Sequence, residues 1–298
     1  MINNLRLGYI GLGLMGKPMA GHLLKAGFPL TVHNRSQAAV NELEKLGAKI
    51  ANSPKEVAAK SDIVFTCLPD SPDVEQAMLD ANGIIEGAKP GLVVVDHSTI
   101  KPSTARKLAA ALVSKDIYFL DAPVSGGQIG AENGTLTIMV GGDAAALERA
   151  MPALKVYGKA ITHIGDSGAG QIAKCCNQMM VAAQMSAMAE LLILARKAEV
   201  DPRKVVQAIK GGAAQCWALD KKPDLLFAGN RQPGFKAYMQ VKDMGIVMET
   251  AKQLGMPLPV TTETTKLFKE MIDLGMGELD NSAVVGVIEE KARQKLLD

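Results

Sequence analysis

The sequence predicts an α/β fold: a doubly wound, mostly parallel sheet in the first half of the chain, then an all-helical second half. Three observations carry this. Short apolar runs at Leu7 to Ile10, Leu30 to His33, Ile63 to Cys67, Leu92 to Val95, Tyr118 to Leu120, Leu136 to Val140 and Ala160 to Ile164 alternate with helical patterns, the rhythm of strands joined by crossover helices. After Gly165 the strand signals stop and long helical patterns take over. The length, 298 residues, exceeds one typical domain and suits two. The expected division is a sheet domain over 1–164 and a helical domain over 165–298.

The helices are punctuated by readable starts and stops. At Ser53-Pro54-Lys55-Glu56, Ser53 can cap, Pro54 fits the first helical position and Glu56 can close a capping box. From about Ala169 to Glu199 there is no proline, and no glycine after Gly170, so one long helix is expected to join the domains. Its apolar positions, among them Ile172, Met179, Ala183, Leu191 and Leu194, leave few polar faces. That pattern fits burial by neighbouring helices or by a second subunit, with the methionines as core filler. Asp201-Pro202 opens another helix, Gln253 to Pro259 closes a further one, and Ser282 to Gln294 reads as a C-terminal helix.

Composition narrows the partners. The chain is 48% hydrophobic and 21% charged with a net charge of +2, which offers no electrostatic footprint for nucleic acid or an anionic membrane. A small-molecule partner is expected. No basic leader with a cleavage site precedes Leu5, and no apolar run reaches about eighteen residues, so the expected location is the cytoplasm. Cys67, Cys175, Cys176 and Cys216 lack paired spacing, which suits buried thiols in a reducing compartment better than disulfides or a metal site.

The motifs that carry chemistry cluster after the predicted strands. Gly11-Leu12-Gly13-Leu14-Met15-Gly16 follows a strand and opens a helix. Gly11 would permit the tight turn, Gly13 would let the backbone approach a pyrophosphate, and Gly16 would bring helix against sheet. A glycine-rich turn without ligand has the same pattern, but strand, spacing and helix agree here on a dinucleotide. The second strand ends in Asn34-Arg35-Ser36, without the carboxylate that an NAD enzyme usually places on the ribose. Asn34 can bond a ribose oxygen or phosphate and Arg35 can meet a 2′-phosphate, so NADP(H) is favoured over NAD(H); a solvated Arg35, or one stacked on adenine, is the competing reading. Leu68-Pro69 and Ser98-Thr99 sit at carboxyl strand ends as candidate cofactor contacts or helix caps. Asp121 to Gly127 ends in Ser125-Gly126-Gly127, a carboxylate cradle or a plain turn. Lys174 and Asn177 share a helix face; from spacing alone a snorkelling lysine is the commoner outcome, whereas burial would lower its pKa toward the range of proton transfer. Lys242-Asp243 has the same ambiguity, with a surface salt bridge the commoner case.

Taken together, Gly11 to Ala20, Asp121 to Gly127, Gly165 to Asn177 and Phe235 to Asp243 resemble the β-hydroxyacid dehydrogenase family. That family includes 3-hydroxyisobutyrate dehydrogenases, tartronate semialdehyde reductases, and glyoxylate or succinic semialdehyde reductases, and the resemblance covers essentially the whole chain. It implies that Lys174 is the general acid/base, that Asn177 orients substrate, that Ser125, Gly126 and Gly127 hold a carboxylate, and that Leu68, Thr99 and Lys242 lie along the cofactor. It also implies a homodimer or homotetramer. Within the family, Asn177-Gln178 and Ala208 to Ala213 lean toward tartronate semialdehyde (2-hydroxy-3-oxopropionate) reductases, and Gln215 to Ala218 toward the hydroxyisobutyrate group. Polar Gln178 beside the catalytic face favours a hydroxyl-bearing substrate. His22 stands where many members have asparagine and reads as structural.

Two other classes compete. A catalytically silent cofactor-binding interaction module would use the same fold, but would not need the lysine at 174. An imine reductase shares the architecture and typically lacks that lysine.

Overall fold

Each predicted strand is present in the computed structural model, which describes residues 5–297. The chain divides into two compact units, Met1–Lys174 and Cys175–Asp298.

Among the described residues the first unit contains nine strands: β1 (Leu7–Ile10), β2 (Leu30–His33), β3 (Lys49–Ile50), β4 (Ile63–Thr66), β5 (Val93–Asp96), β6 (Tyr118–Asp121), β7 (Val124–Ser125), β8 (Leu136–Gly141) and β9 (Gly158–Gly165). They form one sheet in the order β3-β2-β1-β4-β5-β6-β8-β7, with β9 on β8. Pairing is parallel from β3 to β6, and β8 runs antiparallel to β6 and β7 but parallel to β9. β3 and β7, of two residues each, are too short to announce themselves by hydrophobic period.

Helices α1 (Gly16–Lys25), α2 (Gln37–Glu44), α3 (Pro54–Ala59), α4 (Ser71–Leu79), α5 (Pro102–Val113), α6 (Gly127–Glu132) and α7 (Ala144–Leu154) connect the strands. Successive residues point to opposite faces: Leu7, Tyr9, Ile63, Phe65, Val93 and Val95 enter one apolar cluster, while Ile10, Val64 and Val94 enter another. Both faces are buried, which is why these strands read as continuous apolar runs. The start of α3 forms as its residues require: Ser53 Oγ accepts from the Glu56 N–H at 3.2 Å and Glu56 reaches back to the Asn52 N–H at 3.1 Å. His22 on α1 is bonded through Nε2 to the carbonyls of Ala131 and Glu132, at 3.0 and 2.9 Å. It thus satisfies the end of α6.

α8 (Ala169–Lys197) starts in the first unit and continues into the second. The second unit adds α9 (Pro202–Ile209), α10 (Trp217–Lys221), α11 (Pro223–Phe227), α12 (Ala237–Gln253), α13 (Pro259–Asp273) and α14 (Val285–Ala292). A 3₁₀ turn at Asn281–Val284 starts what the sequence presents as one C-terminal helix. At 29 residues α8 is long and apolar enough, by length and composition only, to cross a membrane. The sequence reading missed this because Gln184, Ser186 and Glu190 interrupt every apolar run. Met185, Met188, Ala189, Leu192 and Ile193 are instead buried in the helical core, so the same composition is explained by packing. That core also holds a buried ion pair, Lys222 Nζ to Asp280 Oδ1 at 2.7 Å. Asp280 Oδ2 accepts from the N–H groups of Gly234 and Phe235, so few of its lone pairs are left unsatisfied.

Candidate active site

In an open parallel sheet, ligands bind beyond the carboxyl ends of the strands where the strand order reverses. Here that point lies between β1 and β4, and the glycine-rich turn occupies it. Gly11 has φ +91°, and a Cβ there would run into the carbonyl of Cys67 after β4. A Cβ on Gly16 would strike the Gly11 carbonyl and the Tyr9 ring. A Cβ on Gly13 would meet nothing within 4 Å. The turn is therefore tight where it packs and open where a ligand would approach, and the N-terminus of α1 carries no side-chain cap, which leaves its positive end open to an anion. Leu12 is buried, Leu14 is exposed and Met15 is in between. These features fit a dinucleotide pyrophosphate.

Asn34, after β2, has its amide committed within the protein. Its Oδ1 accepts from the Leu12 N–H at 3.0 Å, and its Nδ2 donates to the carbonyl and hydroxyl of Ser36. Asn34 thus braces the glycine-rich turn. Arg35 is exposed and pairs with Asp73 at 3.3 Å.

The ends of β4 and β5 are joined through Asp96. Its Oδ1 accepts from the hydroxyls of Thr66 and Ser98, at 2.7 and 2.6 Å, and from the Ser98 N–H at 3.2 Å. Ser98 Oγ in turn accepts from the Leu68 N–H at 2.8 Å. Leu68 and Thr99 are partly buried and Pro69 is exposed. Asp96 Oδ2 is buried with no hydrogen-bond partner, and burial, opposed by the Ser98 and Thr66 bonds, raises the carboxyl to about 6. The neighbouring His97 is neutral, since burial pushes it down to about 4. A carbonyl can only accept, so Nδ1 carries the proton to Ala122 at 2.7 Å and Nε2 accepts from the Tyr157 hydroxyl at 2.8 Å.

Asp121, at the end of β6, organises the catalytic candidates. Its Oδ1 accepts from the Gly168 N–H at 2.7 Å and its Oδ2 from the Gln171 N–H at 2.9 Å, so a strand carboxylate caps the first turn of α8. Burial raises this carboxyl to about 6 against those backbone bonds. A Cβ on Gly141 or Gly170 would clash with Asp121, which explains the two glycines beside it. Three residues beyond Asp121, the Val124 carbonyl accepts from Lys174 Nζ at 2.8 Å. Lys174 is 7% exposed, so it is buried rather than snorkelling. Its amine is seated at the residue preceding Ser125, Gly126 and Gly127. Those three are partly buried, the glycines have φ +133° and +63°, and a Cβ on Gly127 would meet nothing within 4 Å.

In the second unit, Asn177 Nδ2 donates to Gln178 Oε1 at 2.8 Å and Gln178 Nε2 donates to Asp243 Oδ2 at 2.5 Å. Lys242 Nζ pairs with Asp243 Oδ1 at 2.9 Å and is largely buried. Because a carboxylate only accepts, Asp243 fixes which end of Gln178 faces it, and that fixes which end of Asn177 faces Gln178. The Gln178 amide is satisfied at both ends, so an amide left needing a substrate hydroxyl is not what the structure contains. The roles of Asp96, Asp121, Gln171 and Val124 escaped the sequence reading. Their only signal is a polar residue at a strand end or in an apolar helix, and Val124 acts through its backbone. No group of three or more His, Cys, Asp or Glu side chains suited to a metal occurs among the described residues.

Comparison with known proteins agrees with this geometry. Residues 6–165 match a family described as the NAD-binding domain of 6-phosphogluconate dehydrogenase, and residues 168–288 one described as NAD-binding of NADP-dependent 3-hydroxyisobutyrate dehydrogenase. The chain is thus an NAD(P)-dependent oxidoreductase acting on CH–OH groups. It is 40% identical to 2-hydroxy-3-oxopropionate reductase of Escherichia coli strain K12 over 98% of this chain and 100% of that one. To 2-(hydroxymethyl)glutarate dehydrogenase of Eubacterium barkeri it is 39% identical, over 97% of each. Among solved structures, Mycobacterium tuberculosis 3-hydroxyisobutyrate dehydrogenase with L-serine superposes with a TM-score of 0.88 at 32% identity, covering 95% of this chain and 99% of that one. The chain belongs to the β-hydroxyacid dehydrogenase family.

The raised Asp96 carboxyl predicts a pH signature. Its pKa in the fold, about 6, lies above its ordinary 3.8, so its contribution to stability is complete below the lower value and is lost as pH rises through the higher one. Asn at this position cannot ionise. Relative to wild type, Asp96→Asn should gain stability between about pH 4 and about pH 7, by up to about 3 kcal/mol. Urea unfolding at each pH reads this, and a difference that does not vary with pH contradicts it.

Proposed function

We propose that this protein is an NADP(H)-preferring reductase of a short carboxylate-bearing aldehyde, working reversibly on the corresponding β-hydroxyacid, with tartronate semialdehyde as its first substrate. The observation that carries the reading is the buried Lys174 amine, held by the Val124 carbonyl beside the Ser125–Gly127 turn. One N–H donates to the Val124 carbonyl, and an ammonium carries three donors in all. Amides of Gly126 and Gly127 with the Ser125 hydroxyl take the carboxylate, which fixes the carbonyl oxygen at Lys174. A bound nicotinamide supplies the hydride in reduction and accepts it in oxidation. Lys174 gives its proton to the carbonyl oxygen as charge develops there, and removes it from the hydroxyl in the reverse direction. Gly11 to Gly16, Leu68, Pro69, Thr99 and Lys242 are the proposed cofactor contacts, with 1–164 the cofactor domain and 165–298 the substrate and oligomerisation domain. Exposed Met180 and Leu194 on α8 support a homodimer or homotetramer, and four cysteines without a disulfide support the cytoplasm.

Lys174→Ala should abolish turnover while cofactor affinity stays nearly intact. Loss of general acid/base help costs about 10² to 10⁴ in rate, and a variant that keeps more than half of wild-type kcat on its best substrate would sink the assignment.

For the cofactor, the supporting features are Arg35 and the lack of a carboxylate after β2. The Asp73 ion pair of Arg35 is exposed and weak enough to yield to a phosphate. NADPH should give the higher kcat/KM, and Arg35→Asp should reverse or erase the preference; NADH as the better reductant with a ratio unmoved by that substitution contradicts the reading.

For the substrate, the polar acceptor is Asn177 rather than Gln178. With its Nδ2 turned to Gln178, Asn177 has Oδ1 to accept from a hydroxyl, which tartronate semialdehyde carries where methylmalonate semialdehyde has a methyl. The E. coli relative's name supports the same choice. In a panel including glyoxylate and succinic semialdehyde, tartronate semialdehyde should show the highest kcat/KM, since an acceptor left unbonded costs about 1 to 3 kcal/mol. A lead of about tenfold or more for the methyl compound would replace this substrate with the hydroxyisobutyrate alternative.

A further inference from the structure

Gln171 has no exposed surface and sits three residues, one helical turn, before Lys174 on α8. Its carboxamide bonds two backbone groups at once: Nε2 donates to the Ser98 carbonyl at 2.8 Å, and Oε1 accepts from the Ile100 N–H at 3.2 Å. These two groups flank Thr99. The Gln171 N–H is itself held by Asp121. One side chain therefore ties the loop after β5 to the helical turn that carries Lys174.

We propose that Gln171 is a positioning residue that sets the register between the Thr99 loop and the Lys174 amine. The inference rests on Lys174 being the acid/base. Hydride and proton transfer must occur within one bound geometry, and a small misplacement of either partner is costly. The clamp needs a donor and an acceptor at the end of one side chain, which an apolar residue of the same volume cannot supply and an ionised carboxylate supplies only in half.

That asymmetry yields a test. In Gln171→Glu the ionised carboxylate still accepts from Ile100 but faces the Ser98 carbonyl with no proton to donate. When protonated, it restores both bonds. The surrounding charges are Asp121 from β6, Asp96 from β5 acting through Ser98, Arg106 from α5 beside Gly168, and Lys174 on α8 itself. Burial and the two carboxylates hold the introduced carboxyl well above the ordinary range.

The measurement is kcat of the full-length enzyme with NADPH and the fastest substrate of the panel, both saturating. It is taken across about pH 6 to about pH 9 and expressed as the ratio to wild type at each pH, which cancels the wild-type groups' own titration. The Gln171→Glu ratio should rise about tenfold or more toward low pH, while Gln171→Met stays low and flat. Hydrogen exchange at the Ile100 amide should be faster than wild type in Gln171→Met and near wild type in Gln171→Glu, which reads the clamp without turnover. A flat Gln171→Glu ratio, a Gln171→Met enzyme with more than half of wild-type kcat, or unchanged Ile100 exchange in Gln171→Met overturns the proposal. An inactive Lys174→Ala with a flat Gln171→Glu ratio removes the clamp alone, whereas an active Lys174→Ala removes the reading beneath it and the clamp as well.

Discussion

Much of the site depends on one short segment, Asp121 to Val124, that holds α8 at two points. The Asp121 carboxylate binds the helix's first backbone N–H groups, and the Val124 carbonyl binds the Lys174 amine. Burying an ionisable carboxyl and an amine is costly when either lacks partners. Here both are partnered, and the same segment continues directly into the Ser125–Gly127 turn. The Lys174 amine and the Ser125–Gly127 turn therefore cannot drift apart without breaking buried hydrogen bonds.

Buried polar groups at the strand ends extend this framework toward the glycine-rich turn. Asp96 joins the ends of β4 and β5 through Thr66 and Ser98, and Ser98 also fixes the Leu68 N–H. His97, kept neutral by burial, ties β5 to Ala122 and Tyr157. The apolar sheet supplies the bulk of the burial, and these few directional bonds determine where the loops begin. In the second unit the directional chain from Asp243 through Gln178 to Asn177 works alike: an acceptor-only carboxylate sets the polarity of two amides in series.

The sheet was legible because its central strands β1, β4 and β5 are buried on both faces, so their apolar runs stand out, and because residues such as Ser53, Pro54 and Asp201 mark helix starts by their own chemistry. β3 and β7 were not legible, since two residues carry no period. The tight turn at Gly11 and the close packing at Gly16 followed from their spacing and agree with φ and packing. Lys174 shows where pattern stops: on a helix this apolar, spacing favours a snorkelling lysine, and its bond to the Val124 carbonyl, fifty residues earlier in the chain, is visible in three dimensions alone. Asp121 and Gln171 act on partners about fifty and seventy residues away in sequence, a separation no local pattern encodes. Gln178 was misjudged for the same reason, because its partner Asp243 lies 65 residues on.

The central claim is that Lys174 and the Ser125–Gly127 turn form one site for a carboxylate-bearing substrate. A crystal structure with NADP+ and a slowly turned-over β-hydroxyacid tests it most directly. The account predicts the ligand carboxylate on the amides of Gly126 and Gly127 and the Ser125 hydroxyl, with its β-hydroxyl within about 3 Å of Lys174 Nζ while that amine keeps its bond to Val124. A carboxylate bound away from this turn, or a hydroxyl out of reach of Lys174, would contradict it.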